Sequence, residues 1–156
     1  MRTQIYDHRN GVKVVPKDIV DTVESVVWGL NPSLSKNSVT AIKESIRERL
    51  EKEGWSGEYR LDATSRITIS SYLQGIGLCF QTGNVGRIYA DLLKLQTLYT
   101  KGKIAAGIIL VPQLKTAKEL GYNMANYERL IRELPIFSQV ITMPIVVIGF
   151  EDTEVE

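Results

Sequence analysis

The spacing of apolar and polar positions changes period several times along the 156 residues. Ile19, Val23, Val26, Val27 and Leu30 recur at intervals of three and four, the spacing of one helix face. Pro16 suits the first turn of that helix, and Asn31-Pro32 stops it. Val39, Ile42, Ile46 and Leu50 repeat the pattern, with Ser35 and Asn37 as candidate caps. The charges of KESIRERLEKE fill the opposite face, and Gly54 ends the run. Ahead of both helices, Arg2 to Tyr6 and Val12 to Val15 are short β-prone runs around Asn10-Gly11. That dipeptide favours a type I′ hairpin turn.

At RITIS the period falls to two. Strands are expected over Arg66–Ser71 and Gly75–Gln81, with Gly83 as the break. Arg87 to Tyr99 returns to helical spacing. Ile88, Leu92, Leu95 and Tyr99 share its apolar face, and an Asp91/Lys94 pair is expected outside. Ile104 to Val111 is almost wholly apolar, as a central strand covered on both faces would be. Leu114 to Leu120 and Ala125 to Glu133 read as two more helices. The polar residues Tyr122-Asn123 and Asn126-Tyr127 suit helix capping or a dimer contact. Pro144 opens a last apolar strand, Ile145 to Phe150, and EDTEVE reads as a loose acidic tail. Strands separated by helices predict an α/β fold, a central mixed β-sheet flanked by helices. No linker or repeat interrupts it, so one domain is expected over residues 1–150, followed by the acidic tail 151–156.

Composition narrows the function classes only by exclusion. Apolar residues make up 44% and charged residues 24%, an ordinary globular balance. A net charge of +1 gives no bulk attraction to nucleic acid or to an anionic membrane, so any DNA contact must come from a local patch. Cys79 is the lone cysteine and His8 the lone histidine. An internal disulfide and a Cys/His zinc set are excluded, and a Ser-His-Asp triad would have to use His8. His8 itself is expected to be exposed in the hairpin turn. The apolar runs are too short to span a bilayer, and MRTQIYDHRNG carries no apolar leader. A reducing cytoplasmic location, with no membrane partner, is the expectation.

Six stretches in one order carry a resemblance: MRTQIYDHRNG, IRERLEKEGW, GLCFQTGN, RIYADLLKLQTLY, KIAAGIILVP, and NMANYERLIREL with MPIVVIGFE. Together they resemble the BglII/BstYI type of restriction endonucleases, within the PD-(D/E)xK nuclease superfamily. The resemblance implies a restriction-endonuclease-like fold, Mg²⁺-dependent cleavage of double-stranded DNA, and a homodimer facing one duplex. In such enzymes Mg²⁺ is held by an aspartate on one strand and by a glutamate on the next, in a motif E-x-Q. A hard cation prefers oxygen ligands, and it lowers the pKa of the attacking water.

Aligned on that motif, this chain reads Cys79-Phe80-Gln81. The glutamine is kept, the glutamate is Cys79, and the aspartate position falls on Ser70. Between Ala63 and Val85 there is no acid at all. A hydroxyl and a thiol cannot supply the anionic oxygens, so the resemblance implies a degenerate site without bound metal. Asp62 and Glu44 are the nearest acids that could substitute, with Mg²⁺ as cofactor if they do. Cys79 otherwise reads as a small packed hydrophobe. Asn84, Arg87 and Lys94 are candidate phosphate contacts, with a turn and a solvated helix face as the plain alternatives. The stretch after Trp55 is short for the family, which implies a trimmed DNA-recognition segment. Three functions follow: a DNA-binding or regulatory homologue without cleavage, an active deoxyribonuclease using Asp62 and Glu44, or an interaction domain with no nucleic-acid role.

Overall fold

The computed structural model describes residues 1–30 and 39–153. Its core is two almost wholly apolar strands. The first is Ala106–Pro112, here β6, and the second is Ile145–Glu151, here β7; every residue of both is buried. They pair in parallel in the middle of a five-stranded sheet of order β1-β7-β6-β5-β4. The outer members are β1 (Arg2–His8), β5 (Ile76–Phe80) and β4 (Ser71–Leu73). β5 runs parallel to β6, while β1 and β4 are antiparallel to their neighbours. A separate ribbon joins β2 (Tyr59–Arg60) to β3 (Thr68–Ile69).

Side chains alternate across a strand, and here the alternation divides the core in two. Leu78, Ile108, Leu110, Val146 and Ile148 pack with α2 (Lys17–Trp28) and α3 (Val39–Lys52). Cys79, Ile109, Val111, Ile145 and Val147 pack with α4 (Arg87–Thr100) and α6 (Tyr127–Glu133). The result is helix, sheet and helix in three layers. α5 (Leu114–Leu120) follows β6, and a 3₁₀ turn over Leu134–Phe137 follows α6. Asn126 caps α6 by accepting from the Arg129 N–H at 2.9 Å. Gly54, at φ 92°, lets the chain leave α3. Among the described residues no helix is long and apolar enough to cross a membrane.

Four expectations are corrected. There is no hairpin at Asn10-Gly11. Arg9 and Asn10 take the positive φ values, 50° and 62°, and Gly11–Val14 forms a short helix, α1. The partner of β1 is β7, from the other end of the chain, because that central strand needs a neighbour on its open edge. His8 is buried, with Nε2 2.8 Å from the Ile141 carbonyl. The expected strand Arg66–Ser71 divides: Thr68–Ile69 belongs to the small ribbon, and only from Ser71 does the chain enter the main sheet. The tail begins later than expected, since Glu151 ends β7 and Asp152 is buried. Pro16 precedes α2 as its cap residue, while Asn31-Pro32, Ser35 and Asn37 lie outside the described residues.

Candidate functional site

The register that packs β5 also builds the site. Leu78 and Phe80 face the α2/α3 layer, so Cys79 and Gln81 point to the α4 side. The Gln81 N–H donates to the Leu110 carbonyl at 2.9 Å, extending the β5–β6 ladder by one residue. Ser70, at the bend before β4, touches the same strand twice. Its Oγ accepts from the Phe80 N–H at 2.9 Å, and its backbone N–H reaches the Cys79 thiol. Ser70, Cys79 and Gln81 are therefore brought together.

A fourth group completes the cluster. Asp91 sits one turn into α4, 6% exposed, and its Oδ2 accepts from Gln81 Nε2 at 2.6 Å. The other end of the Gln81 amide accepts from the Gly83 N–H at 2.7 Å. The glutamine side chain is thus engaged at both ends. The expected external Asp91/Lys94 pair is corrected accordingly. Lys94 Nζ lies 3.9 Å from Asp91 Oδ1, but the carboxylate faces inward. Its spacing from Ile88, Leu95 and Leu98 puts it on the apolar stripe of α4, a signal that was readable in the sequence.

Burial pushes the Asp91 carboxyl above its ordinary range. The Gln81 hydrogen bond opposes this, as do the charges of Lys94, Arg87 and Lys43. Cys79 is 1% exposed, and burial followed by the nearby Asp91 charge pushes its thiol well above the usual value. A thiol held protonated in this way is neither a nucleophile nor a metal ligand.

The other candidates are placed elsewhere. Asn84 is exposed, and its Oδ1 accepts from the Gly86 N–H at 2.9 Å, shaping the turn into α4. Asp62 folds back on Thr64, whose N–H and hydroxyl it accepts at 2.9 and 2.8 Å. Its remaining oxygen lies 4.0 Å from Lys101. Lys101 caps the C-terminal end of α4, ten residues beyond Asp91 and about 15 Å along the axis. Glu44 is exposed on α3. Neither acid reaches toward Cys79 through any contact of the described residues.

Beside the cluster an open cleft of about 210 Å³ separates α3 from β4 and β5. Lys43 and Arg47 form its α3 wall; Ser56, Glu58, Ser70 and Phe80 line the opposite side. Sequence reasoning missed Lys43 and Arg47. Nothing in a charge-rich helix face marks which cations look onto a neighbouring strand.

Residues 2–156 match the family model of restriction endonuclease BamHI. The chain belongs to that family. Among solved structures, BglII complexed with a DNA 16-mer superposes with a TM-score of 0.85 at 13% identity, covering 99% of this chain and 78% of that one. Free BglII gives 0.73 at 12% identity, covering 99% and 82%. No curated protein sequence matches. The fold is therefore restriction-endonuclease-like, the expected mixed sheet flanked by helices.

Such a fold implies Mg²⁺, so the donor set decides whether the metal fits. Mg²⁺ takes oxygen ligands in octahedral array, commonly one or two carboxylates with waters and phosphate. This cluster offers one buried carboxylate, already bonded to Gln81, with three cations acting on it. Among the described residues no three His, Cys, Asp or Glu side chains are grouped to hold a metal. The residues at this position do not fit the ion.

Proposed function

We propose that this protein is a DNA-binding or regulatory homologue of the BglII/BstYI-type enzymes that has lost Mg²⁺-dependent cleavage. The observation that carries the reading is the engagement of Gln81 at both ends, by Asp91 and by Gly83. The residue kept from the family motif is committed to internal bonds, beside a hydroxyl and a protonated thiol where carboxylates are needed. Arg87 and Lys94, next to the cluster, serve as phosphate contacts, with Asn84 shaping the loop that presents them. A homodimer fits the family habit. The apolar patch of Leu93, Phe137 and Val140 beside Tyr89 supports it as the surface a second copy would cover. A cytoplasmic location goes with this reading.

The test is purified protein on plasmid DNA with Mg²⁺ or Mn²⁺, together with a salt-dependent shift assay. No cleavage with salt-sensitive binding is expected, because phosphate contacts release counterions. Site-specific cleavage would restore the reading with Asp62 and Glu44. Absence of binding would leave an interaction domain without a nucleic-acid role. Light scattering at tens of micromolar checks the dimer (on the order of concentrations that hold transient assemblies).

A further inference from the structure

Lys43 and Arg47 stand four residues apart on α3, so they lie on the same helix face. Both line the cleft whose far side carries Ser70, the residue at the lost aspartate position. Ser70 also accepts from the Phe80 N–H, so the cleft borders the strand that carries Cys79 and Gln81. In a cleaving relative this region would gather anions around a cation; here the cleft wall carries two cations, Lys43 and Arg47, against one acid, Glu58.

We propose that Lys43 and Arg47 hold a backbone phosphate of double-stranded DNA in this cleft, as fixed cations in place of a metal. The inference rests on the DNA-binding reading above and deepens it. The guanidinium of Arg47 presents planar paired donors suited to two phosphate oxygens, and Lys43 supplies a point charge. The Ser70 hydroxyl on the opposite wall accepts from the Phe80 N–H and keeps its proton to donate to a remaining oxygen. Glu58 opposes the same anion and sets an upper limit on its affinity. Because the positive charge is covalently fixed, binding requires no divalent ion.

The experiment is fluorescence anisotropy of a labelled duplex against salt concentration, with EDTA and with Mg²⁺. The parent should bind equally in both. Lys43→Ala with Arg47→Ala should weaken binding about tenfold and make the logarithmic salt dependence shallower by about 1. Glu58→Gln should tighten binding, whereas Glu48→Gln, whose side chain lines a different cleft between α2 and α3, should leave it unchanged. Both lysine and arginine are exposed, so circular dichroism should show the double variant folded. A parent that binds, with a double variant of equal affinity and slope, overturns the clamp and spares the DNA reading. Binding that requires Mg²⁺, or a Glu58→Gln variant no tighter than parent, also overturns the clamp. A parent that binds no duplex at any salt sinks both.

Discussion

Gln81 donates its side-chain amide to Asp91 at 2.6 Å, and this bond ties the end of β5 to the inner face of α4. It makes Gln81 a strut between the sheet and the helix that covers it. It also explains how a carboxylate survives in an apolar layer made of Cys79, Leu92, Leu95 and Leu98. The amide donor, with Lys94 at the rim, offsets part of the desolvation.

Removing the acceptor should be costly. Asp91→Ala leaves the Gln81 amide buried and unpaired at one end, and should lose about 1–3 kcal/mol in urea denaturation. Asp91→Asn keeps an oxygen for the same bond and removes the buried charge, so it should lose less. The pH dependence has a sign. The folded-state pKa of Asp91 is raised, so the unfolded chain releases this proton first as pH climbs. The contribution is therefore most favourable below the ordinary carboxylate value and declines through the window up to the folded value. Asp91→Asn should compare better with the parent at neutral pH than in acid. Equal losses for Ala and Asn at neutral pH would deny the bond its role.

Placing acids at Ser70 and Cys79 tests the proposed alignment with the family's metal-binding positions. Ser70→Asp with Cys79→Glu would place two carboxylates next to Asp91. Without metal the double variant should melt below the parent, because like charges share a dry site and Cys79 has no spare room. Added Mg²⁺ should recover much of the loss by mass action. A melting temperature that ignores Mg²⁺ would mean that these positions never formed one metal pocket. Cleavage need not return, since productive attack also requires the duplex to be held in line.

His8 should make stability fall in mild acid. Burial lowers its folded pKa, against the Ile141 carbonyl bond that raises it. The stabilisation is complete above about pH 6.5, the ordinary value for the unfolded chain, and is lost as pH falls from there toward the folded value. His8→Gln can still donate to Ile141 and does not titrate. Thermal melts at about pH 7.5 and 5.5 should show a smaller acid shift for the variant than for the parent. An identical shift would place the titrating group elsewhere.

Gly11 marks the tightest backbone approach in the molecule's first turn. A Cβ there would stand 2.3 Å from the Ile145 carbonyl oxygen and 2.4 Å from its carbon, both backbone atoms of a central strand. Gly11→Ala should therefore cost about 1–3 kcal/mol or fail to fold. Gly57→Ala meets only the Glu51 side chain at 3.7 Å and should stay within about 0.5 kcal/mol of the parent. A tolerated Gly11→Ala would show that β1 and β7 can separate without loss.

Much of this architecture is legible in the sequence alone. Uniform apolarity marked Ile104 to Val111 and Ile145 to Phe150 as central, because a strand covered on both faces has no polar side to show; the strand itself begins at Ala106. Helical periods placed α2, α3, α4, α5 and α6, since the spacing of buried positions is local information. The absence of any acid between Ala63 and Val85 was equally visible. What the sequence could not decide was pairing. Arg2–His8 carries no mark of its partner 140 or so residues away, and register with Glu151 to Ile145 is chosen by burial across the sheet. The same limit hid the site's electrostatics. Asp91 and Gln81 lie on different elements, and only the packing of α4 onto β5 buries the carboxylate against the Gln81 amide, where desolvation raises its pKa and the hydrogen bond opposes the rise.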